Sequence, residues 1–240
     1  MGAVLAPDGW YLKGGLTASQ VGSALRERSF TSAERIGKVL LLATSDDGPT
    51  LGLRFGMTGR LLVDGDAGVG TLEYSSGRNE PTWDRFGVTF ADGGDLRVRD
   101  PRRLGGVFLD PDETRLGVDA RAVTRSGLAA ILRTSTAPLK ARLMDQARLA
   151  GVGNLMADEV LFRAGLDPAR PARSLGDAEV RRLHRHLRTT VEDLMTRGGS
   201  HLGDLQSQRT RGGVCPRDGT PLLRRTVGGR TTWSCPRHQH

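Results

Sequence analysis

Two pairs of side chains near the C-terminus have the spacing of a metal site. Cys215-Pro-Arg-Asp218 and Cys235-Pro-Arg-His238 are C-x-x-ligand knuckles separated by 16 residues. Each x-x turn brings two donors to one cation, so a hairpin between the knuckles would close a tetrahedral structural zinc site. Asp218 and His238 stand where a four-cysteine site has thiolates. Asp218-Gly219 also reads as a simple turn, and His240 is an alternative to His238. Lysine is a second signal. Of 35 basic residues only Lys13, Lys38 and Lys140 are lysines, and a position that keeps lysine can call for an amine that the permanently charged guanidinium does not imitate.

The charge around these residues is uneven. The net charge is +8, with a net of −3 over residues 1–120 and +11 over residues 121–240. A surplus concentrated in one half is the footprint of a polyanion binder, since each contacted phosphate releases condensed counterions. A solvated surface in an arginine-rich chain is the plainer reading. With 240 residues, 37% hydrophobic and 26% charged, the chain is globular, with one large or two modest domains. The longest dense apolar stretch, Val39 to Ala43, is strand-sized, which argues against a spanning helix and a membrane partner. The opening Met1 to Ala6 has no basic flank, and Ala6 fails the Ser/Thr requirement of a myristoylation signal. Both cysteines lie in the last 26 residues, which fits a reduced, cytoplasmic compartment better than a disulfide framework.

Short strands with turn punctuation fill residues 28–110. Val39 to Leu42, Leu51 to Phe55, Leu61 to Val63, Val88 to Phe90 and Leu96 to Val98 are separated by Asp/Gly turns, which reads as a β-sandwich or barrel. After Gly127 the apolar period becomes helical, with Leu128, Ile131 and Leu132 on one face and Leu139, Leu143 and Met144 on another. The turn Ala150-Gly151-Val152-Gly153 is too rich in glycine for helix; a helix capped by Asn154 should follow and end at Gly165. The last long helix is expected from a Ser174 cap, with Asp177 at the capping-box position, to Gly198-Gly199. Residues 203–214 read as a polar linker, and Leu222 to Trp233, around Val227-Gly228-Gly229, as a small hairpin.

The stretch from Leu149 to Pro168, LAGVGNLMADEVLFRAGLDP, carries a more specific signal. It resembles the helix-two-turn-helix of the formamidopyrimidine-DNA glycosylase / endonuclease VIII family. Further blocks similar to that family follow the same order: Arg35 to Leu42, Phe55 to Gly59, Asp100 to Gly105, Leu139 to Asp145, and Gly229 to Trp233 beside the metal-ligand spacing. The resemblance implies an α+β architecture of three parts. These are a β-sandwich over residues 1–124, a helix-two-turn-helix DNA-binding domain over residues 125–205, and a zinc-finger-like hairpin over residues 206–240. It also implies a monomer that acts on damaged double-stranded DNA in the cytoplasm, at the nucleoid.

Residue by residue, the resemblance places Lys38 at the family's strand lysine, which reaches the lesion and shuttles protons, a task that suits an amine of tunable pKa; a surface strand lysine is the other reading. Gly153 and Asn154 match the family's phosphate-gripping turn, where N–H groups at a helix start face an anion. Lys140 matches a second phosphate contact, against the alternative of a solvated helix surface. Met57, Arg102 and Leu104 fall where the family fills the space left by a flipped nucleotide, Leu104 at a position often held by phenylalanine. Core packing is the other reading of Met57. Arg103 resembles a phosphate contact. Arg230 is similar to the hairpin-tip arginine that grips phosphates beside the lesion and assists strand cleavage. Trp83-Asp84-Arg85 departs from a histidine-containing family segment near a phosphate.

The family's nucleophile is an N-terminal proline amine followed by glutamate. This chain opens Met1-Gly2-Ala3, and Pro7 is internal, with an amide nitrogen that forms no Schiff base. A first helix and strand of the family are also expected to be absent, through a start codon assigned too far downstream or a truncated paralogue. The activity implied is that of a bifunctional DNA glycosylase/abasic-site lyase on oxidised bases, with a non-catalytic damaged-DNA-binding paralogue as the alternative. An RNA-binding zinc ribbon is a third reading, disfavoured at 5% aromatic residues. The choice of lesion would depend on the loop between the last long helix and the hairpin. Family members often have more residues there than Gly203 to Val214.

Overall fold

Apolar runs bounded by Asp/Gly turns become strands here because alternate side chains reach a shared core. The computed structural model describes residues 1–68, 72 and 78–240, which divide into the units Met1–Glu113 and Thr114–His240.

The first unit contains β1 (Val4–Leu5), α1 (Ala18–Leu25), β2 (Phe30–Ile36), β3 (Val39–Thr44), β4 (Leu51–Arg54), β5 (Arg60–Val63), β6 (Asp84–Thr89), β7 (Asp95–Arg99) and β8 (Gly106–Leu109). Its strands form two antiparallel four-stranded sheets, ordered β1-β6-β7-β5 and β2-β3-β4-β8. Leu42, Leu51, Leu53 and Val107 from one sheet pack with Phe86, Val88, Leu96 and Val98 from the other, and Val21 and Leu25 of α1 join them. The expected sandwich is therefore present. The five strands anticipated from apolar pattern match β3 to β7. β2 carries no such pattern, because Thr31 to Arg35 are exposed, and it is a strand through its pairing with β3.

The second unit contains β9 (Val118–Asp119), α2 (Arg125–Arg133), α3 (Leu139–Leu143), β10 (Leu149–Ala150), α4 (Asn154–Ala164), α5 (Asp177–Arg197) and a hairpin of β11 (Leu223–Val227) and β12 (Arg230–Ser234). Leu128, Leu132, Leu139, Leu143, Leu161 and Leu187 share one core. α4 ends at Gly165, in the left-handed region at φ 65°, as expected. Two caps differ from expectation. The N-cap of α4 is Gly153, and Asn154 is the first helical residue, its Oδ1 buried without a hydrogen bond among the described residues. The N-cap of α5 is Gly176 rather than Ser174, because Glu179 reaches back and accepts its N–H at 2.9 Å. The 203–214 segment is not wholly a solvated linker: Leu205 is buried with Phe162, Cys215, Leu222, Trp233 and Cys235. No helix among the described residues is long and apolar enough to cross a membrane.

Leu53 sits on central strand β4 with no exposed surface. Leu53→Ala should lower stability by about 2–5 kcal/mol, seen as an earlier urea midpoint at unchanged slope.

Candidate functional site

Strand register gathers several of the expected residues at one end of a sheet. Val39 pairs with Arg54, and Arg54 with Gly106, so the β2–β3 turn, the loop after β4 and the loop before β8 all leave the sheet together. Those three segments carry Lys38, Met57 and Arg102-Arg103-Leu104 respectively. Lys38 lies in the turn, one residue ahead of β3, and is exposed; the expectation of a strand lysine is corrected by that one position.

The two loops are held by Asp100, which is fully buried. Its carboxylate accepts from Thr58 Oγ1 at 2.5 Å, from the Gly105 N–H at 2.9 Å, from the Arg102 N–H at 3.2 Å and from the Tyr11 hydroxyl at 3.4 Å. A desolvated carboxylate is tolerable only with such a set of donors. Burial, then the Asp100 charge, pushes the Tyr11 phenol above its ordinary range, which keeps it a donor. Each donor belongs to a segment that must be placed: Thr58 follows Met57, while Arg102 and Gly105 bracket Arg103 and Leu104. Gly56, at φ 63°, lies so close to the second loop that a Cβ would stand 2.7 Å from the Leu104 carbonyl carbon. Met57 and Leu104 consequently remain 50% and 44% exposed, against the core-packing reading of Met57.

Arg103 points to Asp8, with Nη2 2.5 Å from Oδ1, and Arg85 stands 3.8 Å from the same carboxylate. Arg85 also donates to the Asp100 carbonyl at 2.9 Å. Burial raises the Asp8 pKa, but the Arg103 hydrogen bond and the two guanidinium charges outweigh it and hold the carboxyl below its usual range. Asp84, in the segment that departs from the family pattern, is buried and grips Arg99 through Nε at 2.5 Å and Nη2 at 3.0 Å.

In the second unit the turn before α4 is braced by Gln146, whose side chain accepts the Gly151 N–H at 3.1 Å and donates to the Val152 carbonyl at 2.9 Å. This fixes the approach to Gly153 and Asn154. Lys140 differs from both of its expected roles. It is fully buried on α3, and its ammonium lies 2.7 Å from Asp158 Oδ1, 2.8 Å from Thr232 Oγ1 and 3.1 Å from the Thr231 carbonyl. Its three donors are used inside the protein, so neither a phosphate contact nor a solvated helix surface describes it. Burial, the largest influence on both partners, lowers Lys140 and raises Asp158, and their mutual contact opposes both shifts. Asp158 further accepts from Arg209 at 2.9 Å and from the Trp233 N–H at 3.3 Å. The pair thus ties α3 and α4 to β12 immediately beside exposed Arg230. At the hairpin tip Gly228, at φ 56°, would place a Cβ 2.6 Å from Ala141 Cβ, so the turn rests directly on α3.

Cys215, Asp218, Cys235 and His238 present donor atoms all within 4.8 Å of one another. Cys215 Sγ is 3.4 Å from His238 Nδ1, Asp218 Oδ2 is 3.5 Å from Cys235 Sγ, and His238 Nδ1 is 3.6 Å from Asp218 Oδ2. Bonds of about 2.0–2.3 Å in a tetrahedron place ligands roughly 3.3–3.8 Å apart. The set therefore fits a metal ion. His238 Nε2 faces the Phe162 carbonyl at 3.2 Å, which leaves Nδ1 as the ligating nitrogen. N–H groups of Arg217 and Arg237 donate to the two sulfurs at 3.4 Å, as knuckle turns do. His240, the alternative ligand, instead holds the tail through backbone bonds to Gly165 and Asp167.

Sequence reasoning assigned no role to Asp100, Thr58, Asp158 or Gln146. Asp158 did leave a trace, an acid beside Glu159 inside an otherwise apolar helix run. Asp100 left less, since an Asp-Pro step reads equally as a turn.

Two family models match the chain: one described as the formamidopyrimidine-DNA glycosylase N-terminal domain over residues 6–107, the other as the formamidopyrimidine-DNA glycosylase H2TH domain over residues 116–205. A formamidopyrimidine-DNA glycosylase of Thermus thermophilus is 38% identical over 242 residues, covering 89% of this chain and 84% of the relative. That of Alkalilimnicola ehrlichii is 32% identical over 250 residues, covering 95% and 86%. Among solved structures, the MutM (Fpg) protein of Thermus thermophilus superposes with a TM-score of 0.78 at 34% identity, covering 99% of this chain and 90% of that one. Lactococcus lactis Fpg in complex with DNA containing an abasic site reaches 0.80 at 24% identity, with 99% and 91% covered, which bears on the fold alone.

Removing the Asp158 charge leaves Lys140 and Arg209 facing each other in the interior. Asp158→Asn should cost about 3–5 kcal/mol, measured by urea unfolding. The Asp8 pair gives a pH test. Its pKa is lowered below 3.8 in the folded state, so its stabilisation is present above that value and is lost as pH falls through the lowered one. Asp8→Asn should flatten the acid side of the stability curve and leave its slope near neutrality unchanged.

Proposed function

The chain belongs to the formamidopyrimidine-DNA glycosylase family, and on that premise we propose that it is a base-excision-repair DNA glycosylase with abasic-site lyase activity, acting on oxidised bases in duplex DNA. The observation that carries this reading is the Asp100 network. It presents Met57, Arg102 and Leu104 together at one sheet end, two of them apolar yet about half exposed. An enzyme that turns a nucleotide out of a duplex must refill the gap to offset lost stacking, and a rigid wedge flanked by a cation suits that task.

The remaining roles follow the same premise. Lys38, on the turn at that sheet end, serves proton transfer at the lesion. Arg103 meets a phosphate, and the braced turn at Gly153 and Asn154 offers N–H groups to another. Arg230 grips phosphates beside the lesion from a hairpin seated on α3. Residues 1–124 act as the catalytic part, residues 125–205 as the DNA-holding helices and residues 206–240 as the metal-braced hairpin, in a monomer working at the nucleoid. Zinc at Cys215, Asp218, Cys235 and His238 supplies structure rather than chemistry, fixing both ends of the hairpin that carries Arg230. The acceptance of two thiolates, one imidazole and one carboxylate is within zinc's range.

A second reading is a non-catalytic damaged-DNA-binding paralogue, for which the wedge and phosphate contacts would suffice without any chemistry. Borohydride trapping on abasic duplex separates the two. It is run on the 240 residues as given and on the chain extended by any in-frame codons upstream of Met1. A trapped adduct from either form supports the enzyme; abasic-selective binding without any adduct supports the binder. Neither adduct nor selectivity would sink both readings. Arg230→Ala should reduce the slope of log affinity against log salt by about 1, for one lost phosphate contact. Metal analysis should find one zinc per chain, lost in Cys215→Ser and Cys235→Ser.

A further inference from the structure

The open cleft beside the Asp100 loops joins Arg102, Arg103 and Leu104 to Trp10, Lys13, Arg54 and Phe108, which the roles above leave unused. It has a volume of about 620 Å³ and is bounded by Trp10, Lys13, Arg54 and Phe108 together with residues 102–105. Trp10 is 69% exposed, a large apolar ring left in water although a core lies next to it. It is also held in place. Its backbone N–H donates to Asp8 Oδ1 at 3.1 Å, its carbonyl accepts from Lys13 Nζ at 2.7 Å, and the same ammonium stands 5.1 Å from the ring centroid. One of only three lysines in the chain is thus spent on orienting an exposed indole. In the same lining the Arg54 guanidinium lies 5.2 Å from the centroid of Phe108.

This lining is four cations, of which Arg103 is paired with Asp8, and three large apolar side chains, with no acid in the lining itself among the described residues. An inorganic anion has no use for the rings, and an apolar ligand has none for the charges. A nucleotide uses both, since every base has a flat apolar face and every phosphate a negative charge. Leu104, on the rim of the same cleft, fills a wedge position but lacks an aromatic face.

We propose that Trp10, held by Lys13, is a second base-contacting side chain: the cleft receives an unstacked nucleotide of a distorted duplex, its base against the indole and its phosphate on the surrounding cations, supplying the aromatic surface that Leu104 cannot. The proposal rests on the damaged-DNA reading above and adds to it a residue outside the blocks that define the family resemblance. Lys13 is a positioning residue in this arrangement, and the ring face away from its ammonium takes the base.

The test is fluorescence-anisotropy titration of a duplex carrying one tetrahydrofuran abasic analogue, and of its intact counterpart, at fixed moderate salt. The proteins are the wild-type chain, Trp10→Ala, Trp10→Leu, Trp10→Phe and the double variant Trp10→Ala/Leu104→Phe. Trp10→Leu keeps apolar bulk, so a melting transition like that of the wild type identifies a folded comparison. Losing one stacked base should weaken binding to the abasic duplex at least about fivefold, on the order expected for a single base–aromatic contact, in both Trp10→Ala and Trp10→Leu. Trp10→Phe should stay within about twofold of wild type, and Leu104→Phe should recover part of the loss. A smaller loss in the folded Trp10→Leu chain, or an equal loss in Trp10→Phe, overturns the role of Trp10. The wild-type ratio of abasic to intact affinity is read separately, and a ratio near one sinks the damaged-DNA reading itself.

Discussion

A carboxylate taken out of water must be met by donors, and Asp100 imposes that requirement on everything around it. Its partners come from three separate stretches of chain: Tyr11, Thr58 and the backbone of residues 102–105. Satisfying one anion therefore fixes the mutual position of two loops that strand pairing alone would leave free. The exposed side chains on those loops gain their rigidity from a group they never touch. Flexible loops could reach the same arrangement, but each immobilised side chain would then cost entropy at the moment of binding.

Asp158 repeats the device in the second unit with cations as donors. Lys140 and Arg209 neutralise it, and the Trp233 N–H completes its shell, so helices and hairpin share one buried charge cluster. The cluster sits along the middle of β12, at Thr231 to Trp233, while Cys235 and His238 of the Cys/Asp/His set lie where β12 ends and the tail begins. A two-stranded hairpin is marginal by itself, and here it is held at its tip by Gly228 against Ala141, in its middle by Asp158, and at its base by the four donors. Arg230 inherits a fixed base from those three anchors.

The scarcity of lysine looked like a single signal and resolves into three environments. Lys38 is exposed on a turn at the sheet end, Lys140 is entirely buried, and Lys13 lies along an indole. A compact ammonium with three rotatable donors suits the last two, where a planar guanidinium would not fit the same partners. Residue type was informative at all three positions, but burial could not be inferred for Lys140. An isolated cation on a short helix looks the same whether it faces solvent or an acid that lies 18 positions along the chain.

Local pattern was enough for whatever local physics controls. Apolar runs between Asp/Gly turns located β3 to β7, the 3.6-residue period located α2 and α5, the paired glycines located the hairpin turn, and two C-x-x knuckles located a four-donor cluster whose members lie close together. Pattern failed where a partner distant in sequence made the decision. β2 has no apolar alternation and exists through its neighbour, the cap of α5 moved to Gly176 because Glu179 could reach it, and the leucine-poor segment before the hairpin buried Leu205 in a core supplied by other elements. The amino-acid sequence on its own determined the strands β3 to β7, the helices with a clear apolar period and the spacing of the four candidate metal donors, because propensity and periodicity act over a few residues. Only the folded chain decided which buried acids hold which loops, since that depends on donors such as Tyr11, Thr58 and the Trp233 N–H, which come from about 40 to 90 positions away.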